Sequence, residues 1–282
     1  MDLSSKEKIK TILNEYGAKP QKGLGQNFLI DKNILSNILE ASDIQNNDTV
    51  LEVGPGLGVL TQELAKKARK VIAVEKDKKM AEILRKNLAD FKNIEIIEDD
   101  ILKLNPKRYT LNAYKVVANI PYYITSPLIR KFLEAKFPPK DLVLMVQKEV
   151  AQRICASPPK MSLLAVSVQF YAQAKIAFYV SKNCFWPAPK VDSAIIKIVP
   201  HKIVGHRESY NLFFAVVKAG FSHPRKQLAG NLSHELKLTK EQTIEWLAKS
   251  KINQKQRAET LSVEDWTRLV DNLIILIPQK EL

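Results

Sequence analysis

The sequence predicts an α/β fold, with a doubly wound, mostly parallel sheet in residues 1–202 and a small all-helical domain in 203–282. Three observations predict it. From Thr49 to Val146, short apolar runs alternate with stretches of helical period, the pattern of βαβ units. A glycine-rich turn, Gly54-Pro55-Gly56-Leu57-Gly58, closes the first run and opens a helix. After Pro200 the strand pattern stops and only helical periodicity remains.

The elements follow in order. Lys6–Gly17 reads as an amphipathic helix, followed by a glycine-punctuated loop from Lys22 to Leu29. Asp31 is placed to N-cap a helix running through Asn33 to Ala41. Strands are expected at Thr49–Val53, Lys70–Val74, Ile94–Ile97, Tyr114–Ala118 and Asp141–Val146. Helices are expected at Leu60–Ala68, Lys78–Leu88 and Pro127–Ala135, then at Glu149–Cys155 and Ser162–Tyr171. Ala174–Val180 and Ser193–Val199 read as a closing antiparallel pair. The C-terminal helices are Tyr210–Gly220, Arg225–Leu236, Thr239–Ala248 and Val263–Leu276.

Composition narrows the function classes. With 282 residues, 45% of them apolar, the chain can bury a core. No run of eighteen apolar residues suggests a membrane span. The start lacks the apolar core of a signal peptide, and two cysteines (Cys155, Cys184) are too few for a disulfide framework, so a cytoplasmic protein is expected. Both cysteines read as small core hydrophobes. The formal charge of +14 favours polyanionic partners, nucleic acid first. His201, His206, His223 and His234 lack ligand spacing, so no metal is expected.

The glycine turn reads G-x-G-x-G, one residue short of the dinucleotide fingerprint, and no P-loop lysine follows. By itself it could be a tight connection. Glu75 ends the next strand, twenty-one residues after Gly54, where a carboxylate can accept both hydroxyls of a ribose. It could instead be a helix-start residue favoured by the macrodipole. Asp100, chosen over Asp99, ends the third strand and can accept an adenine amino group. Three such groups at successive strand ends resemble the class I S-adenosylmethionine-dependent methyltransferases. A fourth strand ends in Asn119-Ile120-Pro121-Tyr122, an amide, a carbonyl presented by proline and an aromatic ring. That set suits a flat, amino-bearing base.

Three segments narrow the resemblance: Gly25-Gln26-Asn27-Phe28-Leu29, Asn119-Ile120-Pro121-Tyr122 and Phe185-Trp186-Pro187-Ala188-Pro189-Lys190-Val191-Asp192-Ser193. With Gly220–Lys226 and Arg257–Ser262 they resemble the ribosomal RNA adenine N6,N6-dimethyltransferase family, in its KsgA/RsmA branch. The resemblance runs from about residue 19 to 275. It implies a Rossmann-like methyltransferase sheet and S-adenosylmethionine as methyl donor. It implies a monomer that dimethylates two adjacent adenines in the 3′-terminal hairpin of 16S rRNA, on the small ribosomal subunit. Carried over, Asn27, Leu29, Gly54, Gly56, Glu75, Asp100 and Asn119 bind cofactor, while Asn119, Pro121, Tyr122 and Phe185 form the catalytic corner, the two rings clamping the target base. Phosphate contacts are expected among Lys19, Lys22, Arg130, Lys131, Lys148, Arg153, Lys190, Arg225 and Lys226. Tyr123 stands where many bacterial members carry Asn, and the Arg153–Ser162 loop is short. Two rival functions share the fold: large-subunit methylation of the macrolide-resistance type, and a ribosome-assembly or transcription accessory factor without chemistry.

Overall fold

Carboxylate and hydroxyl caps set several helix starts. The Asp31 side chain accepts from the N–H groups of Asn33 and Ile34 and begins helix α2, Lys32–Ser42. Asp77 does the same for α4, Lys78–Asn87, through Lys79 and Met80. Thr239 and Gln242 form a reciprocal capping box at α10, Lys240–Lys249. The computed structural model describes residues 3–105, 113–201 and 207–276.

The chain divides into two compact units. The first comprises the residues up to Ala151 together with Ala172–Pro200. It opens with α1, Lys6–Glu15, and a two-residue strand β1, Phe28–Leu29. Beyond α2, its sheet is built from β2 (Thr49–Val53), β3 (Lys70–Glu75), β4 (Ile94–Glu98), β5 (Lys115–Asn119), β6 (Leu142–Gln147), β7 (Ala172–Val180) and β9 (Ser193–Pro200). Helices α3 (Val59–Lys67), α4 and α5 (Thr125–Leu133) provide the crossovers among β2–β6, and α6 (Lys148–Ile154) follows β6. The strand order is β4-β3-β2-β5-β6-β9-β7, parallel through β6 and antiparallel over β6-β9-β7. The order reverses between β2 and β5, which creates the crevice at the carboxyl edge where such sheets bind ligands.

β3 and β5 each run one residue further than expected. Glu75 is therefore paired with Glu98, and Asn119 with Met145, inside the ladders. Every residue of β2 is buried, as in a strand covered on both faces. At the opposite edge, buried Lys115 donates to the Ser42 and Asp43 carbonyls at the end of α2 (3.1 and 2.6 Å) and pairs with Asp48 at 3.4 Å. The apolar stem and capped ammonium explain how a lysine begins an interior strand.

One pairing was invisible to pattern reading. β8, Phe185–Trp186, pairs antiparallel with β1, so that Leu29 faces Phe185 and Phe28 faces Trp186. Both cysteines are half-buried and free, rather than fully packed in the core. No helix among the described residues is long and apolar enough to cross a membrane.

The second unit comprises Gln152–Tyr171 and the residues from His201 onward. It thus takes in α7, Leu163–Gln169, which the sequence reading assigned to the first domain. The reason is aromatic packing: the Phe170 ring stacks on Phe213 at 4.1 Å and meets Tyr210 and Phe214 edge-on. The expected boundary at 202/203 and His206 lie outside the described residues. Helices α8 (Arg207–Gly220), α9 (Leu228–Leu236), α10 and α11 (Val263–Leu276) close over Trp246 and Trp266. Trp246 Nε1 donates to the Leu269 carbonyl at 2.7 Å. α9 starts three residues later than expected, because Arg225 and Lys226 belong to a turn. Asn231 holds that turn by donating to the Gly220 and His223 carbonyls (2.7 and 3.1 Å).

Candidate cofactor and adenine cleft

The ends of β2, β3, β4 and β5 and the Leu24–Leu29 segment enclose a cleft of about 1080 Å³, open mouth included. Asn27, Leu29, Gly54, Gly56, Glu75, Asp100, Asn119, Pro121 and Tyr122 all line it.

The glycine turn is needed on two counts. Gly54, Gly56 and Gly58 have φ of 67°, 58° and 93°, where side chains are strained. A Cβ on Gly54 would lie 3.4 Å from Pro121 Cδ, and one on Gly56 would lie 3.2 Å from the Phe28 ring. The turn therefore seats both the proline corner and the N-terminal segment.

Glu75 has both oxygens engaged. Oε2 accepts from Gly56 N at 3.1 Å and Oε1 from Asp77 N at 2.9 Å. Burial pushes this carboxyl up, while those two N–H groups pull it back. Asp100 differs. Burial opposes its ionisation, but the Lys76 ammonium, 3.0 Å from Oδ2, and the Leu102 N–H outweigh it and hold the carboxyl below its usual range. Asp99 lines the cleft too, with Oδ1 accepting from Asp100 N.

The N-terminal segment is strapped across the cleft by side-chain amides. Gln21 and Gln26 both donate to Asp77 Oδ2 (2.8 and 3.0 Å), and Asn27 donates to the Gly25 carbonyl. Asn119 Nδ2 donates to the Asn27 carbonyl at 3.2 Å. That bond fixes the Asn119 amide and leaves its Oδ1 as an acceptor at the strand end. Pro121 (φ −57°, ψ 129°) turns the chain into a short 3₁₀ segment, Tyr122–Ile124. The Tyr122 hydroxyl lies 2.7 Å from Ser193 Oγ, and its ring is half-buried against the cleft.

Two sequence expectations meet a different geometry. Phe185 is only 3% exposed, packs in the core against β1 and does not line the cleft. Lys131 donates to the carbonyls of Leu102 and Leu104, both at 3.0 Å. Those bonds hold the segment after β4 and occupy the ammonium.

The lining also includes Tyr123, which the sequence marks as a departure from many bacterial members, and Glu52, to which the sequence assigns no role. Tyr123, 54% exposed, stands at the mouth beside Lys76. Glu52 is 2% exposed within the fully buried β2. Burial, and secondarily the neighbouring Glu75 carboxylate, push its carboxyl up to about 8, and the Thr61 hydroxyl offsets only part of this. Neither Glu52 Oε2 nor Thr61 Oγ1 has a partner at hydrogen-bonding geometry. An acidic residue inside an otherwise apolar strand was the available signal. Among the described residues no group of three or more His, Cys, Asp or Glu could hold a metal.

The cradle fits an adenosyl group: positive-φ glycines for close backbone approach, one carboxylate fixed at the end of β3 and another after β4.

Comparison with known proteins gives the family and the fold class. A ribosomal RNA small subunit methyltransferase A from Dehalococcoides mccartyi is 45% identical over 263 residues, 92% of this chain and 90% of that protein. One of the same name from Alkaliphilus oremlandii is 43% identical over 283 residues, 96% of this chain and 98% of that protein. The crystal structure of the 23S rRNA methyltransferase ErmE matches with a TM-score of 0.72 at 28% identity, over 88% of this chain and 99% of that one. A dimethyladenosine transferase from Plasmodium falciparum matches with a TM-score of 0.71 at 28% identity, over 86% of this chain and 95% of that one. The sheet is thus a Rossmann-like methyltransferase sheet. The model of the ribosomal RNA adenine dimethylase family matches residues 17–274, and the chain belongs to that family.

Proposed function

We propose that the protein dimethylates the N6 amines of two adjacent adenines of small-subunit ribosomal RNA, using S-adenosylmethionine. The observation that carries the reading is Asn119, fixed by the Asn27 carbonyl at a strand end that shares one cleft with Glu75 and Asp100. Asp100 would hold the cofactor's adenine, Glu75 its ribose hydroxyls, and the Gly54–Gly56 turn its approach. When bound, S-adenosylmethionine supplies an electrophilic methyl on a sulfonium whose leaving group is a neutral thioether.

The protein's task is then the acceptor. Adenine N6 shares its lone pair with the ring and is a poor nucleophile. Asn119 Oδ1 accepts one N6 hydrogen, and the Ile120 carbonyl, set by Pro121, accepts the other. Both bonds favour a lone pair turned towards the methyl carbon. The Tyr122 ring offers a stacking face, worth roughly 1–3 kcal/mol per base. That is of the size needed to offset a few kcal/mol for unstacking the target. With S-adenosylmethionine bound, transfer would form the N–C bond as the methyl–sulfur bond breaks, and the proton lost from N6 would pass to water, so no general base is assigned. Near-attack placement supplies much of the barrier lowering.

We assign RNA docking in part to the second unit. Arg225 and Lys226 are exposed on the turn that Asn231 pins. Replacing both with Ala should weaken RNA binding and reduce its salt slope by about two.

Small-subunit choice rests on the relatives' names and on the Arg257–Ser262 segment. The test is methyl transfer to unmethylated small subunits and to large-subunit RNA in parallel. Label confined to two adjacent small-subunit adenines supports the reading. Label on large-subunit RNA would favour the resistance-type activity, and RNA binding without transfer would favour an accessory factor.

A further inference from the structure

We propose that Asp77 is a positioning residue for methyl transfer, acting through Gln21, Gln26 and Asn27 on the Asn119 amide. The inference rests on the role given to Asn119 above and assigns Asp77 no contact with substrate or cofactor.

An asparagine at the end of β5 could present either end of its amide. The torsion that exchanges the two ends is soft and roughly two-fold. Only one end suits the reaction: turned half a turn, the amide offers N–H donors to an amine that needs an acceptor. The Asn27 carbonyl makes the choice. It can only accept, it lies 3.2 Å from Asn119 Nδ2, and it thereby turns Oδ1 away from itself. Asn119 is therefore only as well oriented as Asn27 is placed.

Asn27 belongs to a segment fastened on both sides. On one side, Phe28–Leu29 is held by the two-residue ladder with Phe185–Trp186. On the other, Gln21–Gln26 closes on itself: Gln21 N donates to Gln26 Oε1 at 2.9 Å, and Leu24 N to the Gln21 carbonyl at 3.1 Å. The two glutamine side chains of this loop converge on one atom, Asp77 Oδ2, at 2.8 and 3.0 Å. Bonds to a carboxylate are stronger than bonds between neutral groups. Asp77 is itself fixed. Oδ1 caps α4 through Lys79 and Met80, the Asp77 N–H donates to Glu75 Oε1 at 2.9 Å, and the residue is buried. The cap needs Oδ1 alone, so Oδ2 serves residues 51 and 56 positions away. Neither Gln21 nor Asp77 lines the cleft, and Gln21 is exposed. Changes at these two positions therefore leave the cleft wall itself intact.

The test is single-turnover methyl transfer by the full-length protein, with S-adenosylmethionine and unmethylated small subunits both saturating. Gln21→Ala should lower this rate about 3- to 10-fold and Asp77→Asn about 10-fold or more, because small misplacements at a reacting centre are costly. Cofactor Kd should stay within about threefold. Tm should stay within about 4 °C, since Asn caps a helix about as well as Asp. The decisive readout is a reversal. Gln21→Glu sets a second carboxylate against Asp77 and should slow transfer; in the Asp77→Asn background the same change pairs acceptor with donor again and should speed it several-fold. An anchor that only stabilised the fold would lower Tm without this reversal.

Wild-type rates in Gln21→Ala and Asp77→Asn overturn the proposal. So does a loss confined to cofactor Kd, or a loss of rate without the reversal. If Asp77→Asn does not fold, Gln21→Ala decides alone. Wild-type protein that transfers methyl while these variants do so equally well defeats this inference only. Wild-type protein that transfers none defeats the functional reading with it.

Discussion

The two rims of the cleft are built by different means. The acidic rim, at the ends of β3 and β4, is made by local chemistry: Glu75 is locked by the N–H groups of Gly56 and Asp77, and Asp100 by Lys76 and Leu102. The amide–aromatic rim is made by distant parts of the chain meeting. Asn119 is held by Asn27, Tyr122 by Ser193, and Pro121 by close approach to Gly25 and Gly54. In the proposed reading, the first rim is a prepared socket for a nucleoside. The second is an assembled corner whose geometry depends on three segments being in place. Binding should therefore fail by parts at the acidic rim, whereas catalysis should fail as a whole at the other.

Breaking the assembled corner should have the largest effect. Asn119→Ala removes the acceptor and the tie to Asn27 together, and the single-turnover rate should fall by about 100-fold or more. RNA affinity by filter binding should change little. An unchanged rate would remove Asn119 from the site.

At the acidic rim, Glu75→Gln places an amide against two N–H donors. Cofactor Kd should rise about 10- to 100-fold, from lost charge-assisted hydrogen bonds of roughly 1.5–3 kcal/mol. RNA affinity should be spared. A variant that bound cofactor normally but did not transfer methyl would reverse the division between the rims.

Glu52 sharpens the comparison through pH. Its carboxyl is raised in the folded protein, so folding takes up a proton there. This contribution is fully present below the ordinary Glu range near 4.5 and is lost as pH rises towards about 8. The loss is on the order of a few kcal/mol. Thermal unfolding of the ligand-free protein should show Glu52→Gln gaining stability over wild type as pH rises through that window. Parallel pH profiles would show that the carboxyl is not raised.

The smallest effect belongs to Tyr122→Phe, which keeps the ring and loses the Ser193 hydrogen bond, about 0.5–1.5 kcal/mol. Methylation should persist with a modest rise in KM for RNA. Loss comparable to Asn119→Ala would give the hydroxyl a role beyond holding the ring.

The same contrast explains what was legible in the sequence. Gly54, Glu75 and Asp100 sit at the ends of apolar runs, so alternation and turn chemistry alone locate them on one edge. The caps at Asp31 and Asp77 are equally local. The burial of Phe185 is not legible, because it comes from pairing with Leu29, 156 positions away, over only two residues on each strand. Such a ladder leaves no periodicity to read. Lys131 reads as a surface cation until its carbonyl partners after β4 are seen. The Gln152–Tyr171 stretch reads as a continuation of the sheet domain, because nothing local reports that Phe170 will stack on Phe213. Glu52 reads as a charge in a buried strand, but the lack of a hydrogen-bond partner at its Oε2 is not legible.

The central claim is that one cleft orders a nucleoside from Asp100 through Glu75 towards Asn119. A crystal structure of the protein with S-adenosylhomocysteine tests it most directly. The account predicts adenine against Asp100, ribose hydroxyls on Glu75 and the sulfur turned towards Asn119 across the end of β2. A nucleoside bound outside this cleft, or in the reverse direction along it, would contradict the account.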